Sequence, residues 1–174
     1  MKKIILSVIL CAMAFVAKAQ VESVDFKTNF RGDFGVGVGV SADLGNDFEF
    51  SPSANIYFWD CGTHFDLEAD FHYKIDLGHK FTLYPIAGAV LCYANLKDHL
   101  DDPHHHHHHL YADDPDYYDG HINFGINVGC GLKYDIKNKI AGFVETKYQW
   151  INNDADYCYD YNDGFLTLGI KVTI

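Results

Sequence analysis

The sequence predicts an all-β protein, an eight-stranded antiparallel up-and-down transmembrane β-barrel with short turns at one end and two long acidic loops at the other. Three observations predict it. Hydropathy alternates with period two along most of the chain, the signature of strands with two unlike faces. Sorting the strand residues by face leaves 43 positions without one charged residue, opposite thirteen that are charged. The connections also alternate in kind, tight turns against long polar loops.

The clearest strand is 121–136. Its even positions are Ile122, Phe124, Ile126, Val128, Cys130, Leu132, Tyr134 and Ile136. Its odd positions are His121, Asn123, Gly125, Asn127, Gly129, Gly131, Lys133 and Asp135. The same reading places strands at 33–43, 48–59, 63–77, 80–93, 139–151 and 164–174, with an eighth at 21–30. The uncharged rows run Phe34–Ala42, Phe48–Phe58, Phe65–Ile75, Phe81–Tyr93, Ile122–Ile136, Ile140–Trp150 and Leu166–Ile174 in steps of two. The opposite rows carry Asp43, Glu49, Asp66, Glu68, Asp70, Lys74, Asp76, Lys133, Asp135, Lys139, Glu145, Lys147 and Lys171. Leu44–Asp47, Leu77–Lys80 and Ile136–Lys139 read as hairpin turns. Pro52 and Pro85 lie within strands and read as local bulges.

Alternation alone leaves two closed barrels open: a soluble lipocalin-like carrier with the apolar face inside, or a membrane barrel with that face outside. Three features favour the membrane. Glycine gathers on the charged face (Gly35, Gly37, Gly39, Gly88, Gly125, Gly129, Gly131), where a narrow lumen needs small residues. Aromatic residues (Phe48, Phe58, Phe65, Tyr73, Phe81, Tyr93, Tyr134, Tyr148, Trp150) mark strand ends on the apolar face, as two interfacial girdles would. The loops 94–120 and 152–163 fall at the end away from the tight turns. Lipid tolerates only a closed barrel, because an open edge leaves amides unpaired in hydrocarbon; the eighth strand is therefore required.

Two domains of fate are expected. Residues 1–19 read as a cleaved signal peptide: Lys2 and Lys3, an apolar stretch from Ile4 to Val16, then Ala17-Lys18-Ala19. Residues 20–174 form the barrel. Without the leader, ten bases face 24 acids, a net charge of −14. Such a chain is a poor partner for phosphate backbones, so nucleic-acid binding is excluded as a function class.

The chain resembles the small outer-membrane β-barrel proteins of the OmpX/opacity type, in the form common in Bacteroidetes. The residues that carry this are Phe34-Gly-Val-Gly-Val-Gly-Val40, Lys80–Val90, Asn123–Asp135, Glu145-Thr-Lys-Tyr148 and Gly164–Val172. The resemblance covers most of the chain after the leader. It implies residence in the bacterial outer membrane as a monomer, with membrane lipid and the barrel-insertion machinery as partners. That family usually closes on an aromatic residue; this chain closes on Ile174.

Candidate functional residues fall into four groups. Asp66, Glu68, Asp70, Lys74, Lys133, Glu145 and Lys147 should project into the lumen, either as an ion path or as a charge-paired plug; at eight strands, side chains can fill the interior. The run His104, His105, His106, His107, His108 and His109 has the chemistry to take up Zn²⁺, Ni²⁺ or Cu²⁺ adventitiously. It reads as an engineered tag, a natural low-complexity tract or a metal-capture or pH-sensing loop. No other cofactor is expected. Loop 152–163 alternates acids with tyrosines, which suits weak Ca²⁺ ligation or contact with another protein. Cys61 and Cys158 both fall on the long-loop side, where a disulfide is geometrically open.

No enzyme is expected. A lipid-facing deacylase needs serine, histidine and a carboxylate on the apolar face, and the 43 positions hold none of them. An acyltransferase needs a hydrocarbon-lined interior, and this one is charged. The expected role is structural or surface-interacting, through loops that meet an extracellular ligand or host surface. The alternative is a small-molecule binder or narrow porin-like transporter, or the soluble carrier.

Overall fold

The computed structural model describes residues 20–59, 62–96, 121–152 and 162–174. The expected signal peptide, the histidine run, Cys61, Cys158 and most of the expected long loops lie outside them. The described chain forms β1 (Gln20–Arg31), β2 (Asp33–Gly45), β3 (Phe48–Trp59), β4 (Gly62–Tyr73), β5 (Ile75–Gly78), β6 (Phe81–Leu96), β7 (His121–Lys137), β8 (Ile140–Asn152) and β9 (Asp163–Thr173). Every neighbouring pair is antiparallel, β1 pairs with β9, and β4 and β5 both pair with β6. The sheet therefore closes on itself. Since β4 and β5 are two pieces of one stave, the barrel has eight.

Period two becomes a physical division in this closure. The large apolar residues of the uncharged rows are on the outer surface: Phe34, Val36, Val38, Ile56, Phe58, Leu67, Ile126, Val128, Leu168 and Ile170 are each 40% exposed or more. The polar rows point inward and are buried except at their turn ends. The lipocalin-like arrangement is thereby reversed. A continuous apolar outer belt on a closed barrel is a surface built for hydrocarbon. Strands of eleven to seventeen residues, counting β4 and β5 together, are long enough to cross it, since a tilted strand needs about 9–11. Aromatic pairs mark both margins. Phe48–Tyr73 (ring centroids 5.1 Å apart) and Phe81–Tyr134 (4.8 Å) stand near the turns. Phe30–Phe34 (6.0 Å) and Tyr148–Trp150 (4.5 Å) stand near the loops.

Two hairpins use the same turn chemistry. Gly45-Asn46-Asp47 and Gly78-His79-Lys80 each place three consecutive residues at positive φ, from 53° to 79°. That twist matches the twist of the flanking strands. Glycine leads each triplet, where a side chain would be most strained.

The expected bulges at Pro52 and Pro85 are not there. The β3–β4 register runs unshifted through Pro52–Ala69, and the β6–β7 register through Pro85–Cys130. The register shifts lie instead beside the start of β1 and the turns, at Val21/Ser23, Asp43/Gly45, Asp76/Gly78 and Asp135/Lys137. Each proline removes a ladder donor without adding a residue, so the ladder lapses and resumes in step. Opposite Pro85 the lapse divides the expected strand 63–77 into β4 and β5, and the Lys74 amide bonds the Asp47 carbonyl instead (2.7 Å).

The glycines of the inner face make room. Gly35 is the ladder partner of Tyr57, and a Cβ there would stand 2.6 Å from the Tyr57 ring. Gly131 and Tyr84 are related in the same way across β6 and β7, as are Gly169 and Phe143 across β8 and β9. Large inward side chains thus lie over glycines of the next strand, which lets a narrow barrel be packed.

Candidate functional site

The candidate site is the lumen, and it is built in three levels. The middle level centres on Lys147 of β8. Its Nζ donates to Oε2 of Glu68 (2.6 Å) and Oδ2 of Asp70 (3.0 Å) on β4 and stands 4.0 Å from Oε2 of Glu145. Each acid is held a second time. Ser53 donates to Glu68 (3.3 Å), Asn127 to Asp70 (3.1 Å) and the Tyr84 hydroxyl to Glu145 (3.0 Å). Lys27 of β1 joins through Ser53 (3.3 Å). Lys147 also lies over the Phe165 ring, 5.2 Å from its centroid. Seven strands thus contribute to one cluster, whose central lysine and three carboxylates are at most 3% exposed.

The level nearest the turns is a smaller version. Lys171 donates to Oε1 of Glu49 (2.7 Å) and lies 3.9 Å from Asp25. His72 Nδ1 contacts the same Glu49 oxygen (3.2 Å), and Ser41 donates to Asp25 (2.8 Å). Nearest the loops, Nη1 of Arg31 donates to Gln149 and stands 3.9 Å from Asp66, while His64 Nε2 lies against Asp66 Oδ1. Asn29 links the levels by donating to Asn55 (3.0 Å) and accepting from Thr167 (2.7 Å).

The sequence-predicted lumen residues therefore divide. Asp66, Glu68, Asp70, Glu145 and Lys147 are buried inside. Lys74 and Lys133 are not in that cluster: they sit at the turn-end mouth, about a quarter exposed, paired with Asp43 (3.4 Å) and Asp135 (3.5 Å). A cavity of about 420 Å³ opens at this mouth among Lys80, Lys133, Asp135, Lys137 and Lys171. Of the cysteines, Cys92 is a buried thiol in the lumen and Cys130 an exposed one on the outer face.

Sequence reasoning missed the inward row of β1, Ser23, Asp25, Lys27, Asn29 and Arg31, all at most 5% exposed. The signal was present, since Val24, Phe26, Thr28 and Phe30 alternate with them. Thr28 blurs the outer row, and the strand has no long apolar stretch to draw the eye. His64, His72, Tyr84, Asn127 and Gln149 were equally legible by parity on their strands.

No family model and no curated protein matches the sequence. Solved structures do match the fold. The N-terminal β-barrel domain of Pseudomonas aeruginosa OprF superposes with a TM-score of 0.60 at 17% identity, over 90% of this chain and all of that one. Neisserial surface protein A gives 0.60 at 13% identity, over 87% and 94%. A major outer membrane protein of Thermus thermophilus gives 0.58 at 14%, over 89% and 100%. At these identities the likeness is one of architecture, and it falls on barrels of a single kind: the chain has the fold of the small outer-membrane β-barrels.

Proposed function

We propose that this chain is an integral bacterial outer-membrane protein without enzymatic activity, working at the cell surface through the loops 94–120 and 152–163. The observation that supports this most is the middle of the lumen. Lys147 and its three carboxylates occupy the axis of an eight-stranded barrel and are tied by second hydrogen bonds to Ser53, Asn127 and Tyr84. Buried charges held in this way do not step aside for a passing ion without losing partners. The lumen is thus a plug that stiffens the barrel, and contact with the surroundings falls to the loops, whose acids and tyrosines suit extracellular ions or a host surface. Outer-membrane lipid covers the belt, the insertion machinery places it there, and the barrel works as a monomer.

Membrane fractionation followed by gel migration with and without boiling tests the location; outer-membrane recovery with a heat-dependent shift is expected. Recovery in a soluble fraction overturns it. Planar-bilayer recording tests the plug. No steady conductance is expected from the purified barrel. A steady pore overturns the plug and favours the narrow-transporter alternative, with the turn-end cavity as its vestibule.

A further inference from the structure

His64 and Asp66 are alternate residues of β4, so both point inward, and Cys92 of β6 is the ladder partner of Asp66. One donor atom from each of the three lies within 4.8 Å of the other two, and all three side chains are buried, at most 1% exposed. Asp66 is held unlike the other lumen acids. Asp70 accepts from Asn127 and Lys147, and Glu145 from Tyr84, whereas no nitrogen or hydroxyl donor bonds Asp66 in ordinary geometry and its hydrogen-bonding neighbour is the Cys92 thiol. The Arg31 guanidinium pairs with Asp66 only at 3.9 Å and donates to Gln149. A fully buried carboxylate costs free energy unless something satisfies it.

We propose that His64, Asp66 and Cys92 bind a divalent transition-metal ion, with Zn²⁺ the best match. The donor set is one imidazole nitrogen, one thiolate sulfur and one carboxylate oxygen. Zinc accepts all three, whereas Ca²⁺ and Mg²⁺ want oxygen alone. Zinc bonds of about 2.0–2.3 Å set tetrahedral donors roughly 3.3–3.7 Å apart. The three donor atoms lie within 4.8 Å of one another, so an ion between them would set that spacing by moving side chains of two adjacent strands. Binding releases the Cys92 proton to solvent, and the resulting thiolate and Asp66 balance the two charges of the ion. The Tyr57 ring, with its centroid 5.4 Å from that of His64, steadies the imidazole. Three protein ligands leave a fourth position for water, as in exchangeable rather than closed zinc sites. The trio lies within a few residues of the loop-side ends of β4 and β6, above the Lys147 cluster. An ion from outside the cell therefore reaches it without crossing the plug.

The test uses the full chain refolded in detergent, with His104–His109 replaced by serine to remove their own metal affinity, and Co²⁺ as the probe. One equivalent of Co²⁺ is expected to bind with thiolate-to-cobalt charge-transfer absorption and tetrahedral ligand-field bands, and Zn²⁺ to displace it. Cys92→Ser should abolish the charge-transfer band, while His64→Gln and Asp66→Asn, which remove ligands, should each weaken binding by more than the roughly 10–100-fold that loss of an outer partner costs. The heat-dependent gel shift shows which variants still form the barrel. Absence of the charge-transfer band at saturating Co²⁺ overturns the proposal whatever the variants do. A band that survives in Cys92→Ser overturns it too, because another cysteine then supplies the sulfur.

Discussion

Lys147, on the inward row of β8, and Lys74, between β4 and β5 of one stave, are the same residue type and both lie beside carboxylates, yet the barrel uses them differently. Lys147 lies at mid-lumen, 1% exposed in its side chain, with three carboxylates within 4.0 Å. Lys74 lies at the turn-end mouth, 25% exposed, with Asp43 alone at 3.4 Å. Water solvates the second pair in both folded and unfolded states and screens its attraction. It is excluded from the first, where the lysine has only the protein to satisfy it. The energetic weight of a lumen charge is therefore set by its depth along the barrel axis rather than by its partner's identity.

The largest effect should come from breaking the deep site. Lys147→Met leaves Glu68, Asp70 and Glu145 buried without their shared cation and should cost about 3–5 kcal/mol, measured as a fall in the denaturant midpoint of the refolded barrel. Adding Glu68→Gln and Asp70→Asn to that variant should recover part of the loss. If the single change is neutral, the deep pairs are no stronger than the mouth pairs and the comparison fails. On the outer face the same charge meets the opposite demand. Leu168→Arg, near the middle of β9 and 45% exposed to the bilayer side, should cost about 2–4 kcal/mol by unfolding in liposomes. Less than that would mean this row does not face hydrocarbon.

Packing sharpens the contrast further. Gly131→Val puts a side chain into the Tyr84 ring and should cost roughly 1–3 kcal/mol. Tyr84→Ala on the same chain should relieve the collision while leaving Glu145 short of its hydroxyl donor, so the double variant should not return to wild-type stability. The smallest effect belongs to the mouth. Lys74→Met should change stability by less than about 1 kcal/mol, and that change should shrink as salt is raised.

These contrasts also show what could be read from the residues in order. Which side of each strand meets lipid was legible, because backbone geometry sends alternate side chains to opposite faces and the chain obeys it with no charge on one row. The Gly45-Asn46-Asp47 and Gly78-His79-Lys80 turns were legible too, from local turn chemistry. The prolines misled: Pro52 and Pro85 looked like bulges, but a lost donor does not oblige the chain to insert a residue. The β1 row from Ser23 to Arg31 was faint because Thr28 interrupts the outer row.

The sequence by itself determined that the barrel has eight staves, that its outer face is apolar and that its lumen is charged. These follow from periodicity and composition within each strand. Only the tertiary structure decided which charges meet. Lys147 reaches Glu68 and Asp70 nearly 80 residues away, and Cys92 comes level with Asp66, because of how far each strand is staggered against the next. That stagger is a property of the closed sheet, and no single strand carries it. It turns a row of inward-facing polar residues into two buried ion clusters, two pairs at the mouth and the trio of donors proposed for a metal ion.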